Sequence, residues 1–169
     1  TGFWCCFAWL PTALLREGGY SLAFVGAFHG SLAVVHVIAD IGFGVVAERL
    51  GRRRTFIACN LLFAAGLGTI ALGFDVLLRE PAVLIFALVA VGLGAGTWSA
   101  FGVLFAQHYP AGLRATAASG FYNVARGAQL VAQPALAVAF GATGSFAVAL
   151  WIGVGTALGS AWLIGRLPA

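Results

Sequence analysis

The sequence predicts an all-α, polytopic membrane protein with six transmembrane helices. Hydrophobic residues make up 62% of the chain and charged residues only 8%, whereas a soluble domain is about half apolar and a quarter charged. The apolar residues fall into six runs, and most of these runs have about the twenty residues that a helix needs to cross a bilayer. Short polar or basic segments separate the runs. We therefore expect six spans joined by short connections.

Polar residues and prolines set the boundaries of the six predicted spans. They lie at about 1–15, 22–47, 55–74, 82–107, 115–140 and 146–164. The spans divide into two similar triplets, each with a Trp- and Gly-bearing span, a span with internal polar residues and a nearly featureless one. Such an internal repeat is typical of transporter halves, whose pathway lies between repeats. The first run is short and begins without Met, so we expect a truncated first helix in a piece of a longer protein.

The arginines predict the orientation of the spans. The chain has nine arginines and no lysine, and basic residues are enriched on the cytoplasmic side of a membrane. Because most of them flank apolar runs, anionic lipid explains them better than nucleic acid does. We expect an inner-membrane protein whose basic end is cytoplasmic. One side would carry Arg49, Arg52, Arg53, Arg54, Arg114 and Arg166, and the other would carry Arg16 and Arg79.

The connection between the second and third spans has the most specific spacing in the chain. Its charges cannot enter hydrocarbon, so the predicted Glu48–Arg54 loop must lie at a membrane surface. Gly51 suits a tight reversal because glycine tolerates positive φ. The pattern Gly-x-x-x-acid-Arg-x-Gly-Arg-Arg resembles the signature loop of the major facilitator superfamily of transporters, which usually has Asp where this chain has Glu48. The resemblance implies a cytoplasmic gate carried by Gly44, Glu48, Arg49, Gly51, Arg52, Arg53 and Arg114.

Two further stretches extend this resemblance. Residues 107–116 with Tyr122–Arg126 resemble a cytoplasmic loop and the next helix in the C-terminal half of metabolite–proton symporters, although Gln107 replaces the usual Glu. The opening Trp9-Leu10-Pro11-Thr12 resembles the first helix of that half. The resemblance implies that residues 1–169 form a C-terminal six-helix half whose N-terminal half is absent. It further implies secondary active transport of a small metabolite, an organic anion, coupled to protons by alternating access.

The second span carries three ionisable residues on one stripe. His29, His36 and Asp40 lie within about 40° of one another on a helix, and His36 and Asp40 are close enough to touch. An ionisable residue at mid-span costs about 2.5–3.5 kcal/mol on insertion scales, so this face should turn away from lipid. We expect it to couple proton movement. Alternatively, Asp40 reaches the cytoplasmic interface and His29 is a packing residue.

The fifth span carries a longer polar stripe, within an arc of about 120°. We expect Arg126 to bind a carboxylate, since a guanidinium holds one bidentately. Alternatively, Arg126 is locked structurally to Asp40 or to a carboxylate of the absent half. Trp98 on the fourth span would line the same cavity. The stripe comprises Ser119, Tyr122, Asn123, Arg126, Gln129 and Gln133.

Two other functions remain open from the residues alone. An intramembrane metalloenzyme would use His29, His36, Asp40 and His108, but no close His-x-x-x-His pair supports a zinc site. A transporter of sugars or drugs in the same superfamily is the other alternative. We expect no enzymatic activity, no cofactor and no metal, and the expected partners are the substrate, protons, the bilayer and the absent half. Gly92, Gly94 and Gly96 lack the context of a dinucleotide motif and are predicted to pack helices closely.

Overall fold

A computed structural model of the chain describes residues 4–73, 79–99 and 109–166. These residues form helices and short connections, with no strand among them. The helices are α1 (Leu10–Arg16), α2 (Leu22–Leu50), α3 (Arg52–Leu72), α4 (Pro81–Gly94), α5 (Arg114–Gly127), α6 (Gln129–Thr143) and α7 (Ala147–Arg166). A π-helical turn, Cys5–Trp9, precedes α1, and the 3-10 turns Ala95–Thr97 and Ala111–Leu113 follow α4 and precede α5.

Three of these helices are long and apolar enough to cross a membrane. They are α2, α3 and α7, with 29, 21 and 20 residues. Residues Pro81–Thr97 form a shorter apolar helix, and residues 100–107 of that predicted span lie outside the described part of the chain. The predicted all-α class and its compatibility with a membrane are thus confirmed. The arrangement of six spans as two repeats stays a prediction.

The predicted fifth span is interrupted rather than continuous. Helix α5 ends at Gly127 and α6 begins at Gln129, although Ala128 between them keeps helical backbone angles, with φ −58° and ψ −22°. Gly127 is a poor helix former. Pro134, which lacks an N–H, removes a further backbone bond inside α6. The fifth predicted span therefore consists of two consecutive helices of 14 and 15 residues.

The predicted basic loop is a one-residue break between two helices. Glu48 and Arg49 belong to the last turn of α2, and Arg52 opens the first turn of α3. Gly51 alone separates them, at φ 86° and ψ 141°, a backbone conformation that residues with a Cβ rarely adopt. Its N–H donates to the Ala47 carbonyl at 3.1 Å, which closes α2. Helix α2 thus ends at Leu50, three residues beyond the predicted end of the second span at residue 47.

Close packing through glycine joins α2, α3 and α4. A Cβ added at Gly94 would lie 2.5 Å from the backbone nitrogen of Phe63 in α3. One at Gly96 would lie 2.7 Å from the Ala39 carbonyl oxygen in α2, and one at Gly92 would lie 2.7 Å from Val35. These glycines therefore let the backbones approach, as small residues do at helix interfaces in membranes. Their predicted packing role is confirmed.

The buried core lies around α3, which packs against α4 on one side and α7 on the other. The main cluster contains Leu14, Leu67, Leu84 and Leu150, all almost fully buried. A smaller cluster at the basic end holds Phe43, Ala47 and Phe56. Helix α5, in contrast, has no buried residue, and α6 buries only Leu136. The polar stripe of the fifth span is thus carried by the least covered helices.

Candidate functional site

The ionisable residues of α2 lie together against the first segment of the chain. His36 Nε2 and Asp40 Oδ2 are 3.6 Å apart, with side chains 18% and 34% exposed. The Phe7 ring meets His29 edge-on at 5.2 Å between ring centroids and lies 6.4 Å from His36. Because Phe7 contacts both histidines, the structure brings all three predicted residues to one face of α2. Phe7 itself is a member of this cluster that the sequence did not reveal.

Two atoms of this cluster are buried without using their hydrogen-bonding capacity. His29 Nδ1 and Asp40 Oδ1 have no hydrogen-bond partner among the described residues. Leaving a buried polar group unpaired costs about 1–3 kcal/mol, so groups of this kind tend to be retained where they serve a function. The His36–Asp40 separation is that of an ion-pair contact rather than a short hydrogen bond.

A second cluster joins α5 to the residues that follow α4. Arg126 Nη1 donates to Tyr122 Oη at 2.9 Å, and the guanidinium carbon lies 5.4 Å from the centroid of the same ring. Trp98 meets Tyr122 edge-on, with ring centroids 5.9 Å apart. Arg126 has no carboxylate partner among the described residues, and Asp40 contacts His36 instead. The cluster is thus an exposed cation beside the Tyr122 ring, and Trp98 contacts that ring in turn.

The remaining polar residues of the stripe are engaged within the chain. Gln133 Oε1 accepts from Trp9 Nε1 at 2.9 Å, and Gln133 Nε2 donates to Gln129 Oε1 at 3.2 Å. The Asn123 amide donates to the Ser119 carbonyl, one turn earlier in α5, at 2.9 Å. The stripe therefore divides into an Arg126 part that faces outward and a glutamine part that holds the first segment. No spacing in the sequence relates Trp9 to Gln133, although an indole N–H inside an apolar run needs an acceptor.

Most of the predicted gate residues lie at the junction of α2 and α3, whereas Arg114 opens α5. Arg53 donates a hydrogen bond to the Gly165 carbonyl near the end of α7, which places the ends of α3 and α7 together. Glu48 and Arg49 are exposed, and Glu48 has no ion-pair partner within the described ranges. A Cβ at Gly44 would meet nothing within 4 Å. Arg114 Nε donates to the Tyr109 carbonyl at 3.0 Å, a bond within the segment that leads into α5.

The residues proposed for a metalloenzyme do not form a metal site in the described chain. No group of three His, Cys, Asp or Glu side chains that could hold a metal ion exists in residues 4–73, 79–99 and 109–166. His108, the fourth residue of that hypothesis, lies outside the described residues. The metalloenzyme alternative is therefore not favoured.

Comparison with known proteins identifies a similar transport protein. Over 127 residues, or 74% of the chain, the sequence is 32% identical to a protein of Haemophilus influenzae named "Putative metabolite transport protein". The chain spans 30% of the length of that relative. No protein-family model matches the chain, and no solved structure does. The apolar helices indicate a membrane protein, and the sequence is similar to a protein named for metabolite transport.

Proposed function

We propose that the chain is the C-terminal six-helix half of a secondary active transporter of the major facilitator superfamily. Its substrate is a small organic anion, which it moves together with protons by alternating access. The observation that carries this proposal is the Arg126–Tyr122–Trp98 cluster, because its Arg126 and Tyr122 lie on a helix that has no buried residue in this chain. The similarity to a metabolite transport protein supports the same class.

The position of Arg126 favours a binding role in a central cavity. Since α5 is helical from Arg114 to Gly127, Arg126 lies about 18 Å along the axis from Arg114, near the middle of a bilayer. A charged side chain at that depth is unfavourable against lipid and is expected to face protein or water. The exposed face of α5 therefore faces the other half of the transporter across the cavity.

The chemistry of the cluster favours a carboxylate as the group that is bound. Tyr122 accepts from one nitrogen of Arg126 and fixes the guanidinium over its own ring. A guanidinium has further N–H groups, and it can use two of its N–H groups for parallel bonds to a carboxylate. Tyr122 and Trp98 supply apolar walls for a small carbon skeleton, and Asn123, Gln129 and Gln133 lie on the neighbouring turns. A substrate with a carboxylate and few other charges fits these groups.

The other two clusters have separate tasks in this proposal. His36 and Asp40, together with His29 on the same face of α2, take up and release the coupled proton as the cavity changes its exposure to water. The basic junction forms the cytoplasmic gate. Glu48 and Arg49 are exposed there, and the space beside Gly44 is open, so the surface of the other half can close on them. Ion pairs formed and broken at such a contact give a two-state element.

Substitution of Arg126 in the full-length transporter tests the proposal. Arg126→Lys keeps the charge but loses the planar fork. We therefore expect carboxylate binding to weaken about 10–100-fold, which corresponds to the loss of one charge-assisted hydrogen bond. Binding is measured by competition with a panel of small carboxylates and their neutral amides. The matched control is Arg79→Lys, an exposed arginine before α4, which should leave binding unchanged. Wild-type carboxylate affinity in Arg126→Ala would refute the anion site.

A further inference from the structure

Two residues of the π turn Cys5–Trp9 contact different functional parts of the chain. The Phe7 ring lies against both histidines of the ionisable cluster in α2, at 5.2 and 6.4 Å between ring centroids. Trp9, two residues later, donates from its indole nitrogen to Gln133 of α6 at 2.9 Å. Residues two apart on a helix do not face the same side. The turn therefore lies between the ionisable face of α2 and the polar stripe of α6.

The first segment, which comprises the π turn and α1, is fixed in the core. Leu10, Ala13 and Leu14 of α1 are at most 1% exposed, and both aromatic side chains of the turn pack against the same buried cluster. Helix α6, in contrast, buries only Leu136. The hydrogen bond from Trp9 thus ties a loosely covered helix to the fixed core, at the turn that contacts the histidines.

The bond to Gln133 continues toward Arg126. Gln133 Nε2 donates to Gln129 Oε1 at 3.2 Å, and Gln129 lies three residues after Arg126 in the sequence. The backbone is bonded across the break between α5 and α6, because the Ala128 N–H donates to the Val124 carbonyl at 2.9 Å. Residues three apart are neighbours on a helix surface. The polar groups therefore form one series from the cation to the π turn.

We propose that Phe7 and Trp9 are positioning residues that couple the ionisable cluster of α2 to the anion site at Arg126. A carboxylate that binds Arg126 shifts α5 and α6, and the Trp9–Gln133 bond transmits this shift to the π turn. Phe7 then changes its contact with the two histidines. Turns of this kind are frequent at functional sites. The coupling rests on the proposed function, since it links the two sites named there.

Few other titratable groups surround this face of α2. Helix α4 and the turn Ala95–Thr97, which both pack against α2, have no titratable side chain. Arginines stay charged at every pH at which the protein is folded, which removes those of α1 and α3 from consideration. The thiols remain as groups to control for. They are Cys59 of α3 and, in the sequence of the π turn, Cys5 and Cys6.

The coupling factor is the ratio of the carboxylate affinities of the purified full-length protein at two pH values, both above the pKa of the free acid. The probe is whichever of acetate, lactate, pyruvate and succinate binds the wild type most tightly. We expect tighter binding at the lower pH, since a proton and an anion that are coupled strengthen each other's binding by the same factor. Trp9→Phe and Phe7→Leu should each reduce the ratio about two- to tenfold, the range for one hydrogen bond or ring contact.

The ratio separates coupling from damage, because a merely structural loss lowers both affinities and leaves their ratio unchanged. The matched controls are Trp151→Phe in α7 and Phe86→Leu in α4, whose side chains are 44% and 71% exposed. Both should keep the wild-type ratio, and so should serine in place of all three cysteines.

Wild-type ratios in both Trp9→Phe and Phe7→Leu would overturn the coupling and leave the proposed function intact. An equal reduction in the controls would overturn it as well. A wild type whose affinity does not depend on pH would refute the proton coupling of the proposed function, and the role of the π turn with it. If Trp9→Phe fails to fold, Gln133→Leu removes the same bond from the other side. An unchanged ratio in that variant would contradict the role of Trp9.

Discussion

Helices α3 and α5 satisfy their polar groups in different ways. In α3, ten of the 21 residues are buried, whereas none of the 14 residues of α5 is. The buried polar residues of α3 donate to carbonyls one turn earlier in the chain: Thr55 to Gly51 and Asn60 to Phe56, both at 3.0 Å. In α5, Arg126 and Tyr122 hold each other on an exposed face. Asn123 of α5 also donates one turn earlier, to the Ser119 carbonyl, so the two helices differ mainly in that the polar groups of α3 are buried and those of α5 are exposed.

The same contrast holds for small residues. Gly66 in α3 and Gly94 in α4 lie against the backbone of the facing helix, whereas Gly120 and Gly127 in α5 have nothing within 4 Å of an added Cβ. Gly66 and Gly94 are therefore required by the close packing of α3 against α4. The two glycines of α5 face the side on which we place the other half of the transporter. The comparison predicts that substitutions in the packed region act on folding and that those on exposed polar faces act on transport.

The largest effect is expected for Gly94→Ala. The added Cβ would lie 2.5 Å from the Phe63 nitrogen and 2.6 Å from its Cα, and backbone cannot yield as a flexible side chain does. We expect a loss of at least the 1–3 kcal/mol that is typical of overpacking, seen as a lower melting temperature of the purified full-length protein.

The matched control for Gly94→Ala is Gly155→Ala in α7. A Cβ at Gly155 would meet nothing within 4 Å, and alanine is the better helix former by about 1 kcal/mol. This variant should be as stable as the wild type or slightly more so. Equal melting temperatures for the two alanine variants would show that α3 and α4 do not pack as described.

A smaller but more specific effect is expected for Asp40→Asn. The amide keeps the size of the side chain beside His36 but cannot carry the coupled proton. We expect full-length protein in proteoliposomes to lose uptake driven by a pH gradient while keeping exchange of internal for external substrate. A proton can drive uptake only if its affinity differs between the two states of the transporter, whereas exchange needs no proton gradient.

The control for Asp40→Asn is Glu80→Gln, an exposed acid before α4, which should leave gradient-driven uptake unchanged. If Asp40→Asn concentrates substrate at the wild-type rate, the coupling proton is carried elsewhere. Loss of exchange together with uptake would instead mark Asp40 as a structural residue.

The sequence predicts the parts of this fold that depend on local pattern. The lengths of the apolar runs predict α2, α3 and α7. The spacing of His36 and Asp40 predicts their contact, since residues four apart meet on a helix. The reversal at Gly51 was predicted, but not that it occupies a single residue, because charge marks a surface without giving the length of a loop. The contacts of Phe7 with His29 and of Trp9 with Gln133 join segments far apart in sequence. Helical periodicity holds no information about such pairs.

The smallest effect concerns the link between the packed region and the polar stripe. Trp9 donates to Gln133 at 2.9 Å and also packs against Phe140 and Phe146, with ring centroids 6.2 and 5.9 Å away. Trp9→Phe keeps most of this aromatic contact and removes the donor, so we expect a loss of only about 0.5–1.5 kcal/mol, the net value of one hydrogen bond. The measurement is a double-mutant cycle with Gln133→Leu by thermal unfolding, in which the second substitution should cost less once the first is present.

The control is Trp151→Phe in α7, at a side chain that is 44% exposed, and it should show no coupling to Gln133→Leu. Additive losses for Trp9→Phe and Gln133→Leu would mean that the bond does not hold α6 to the first segment.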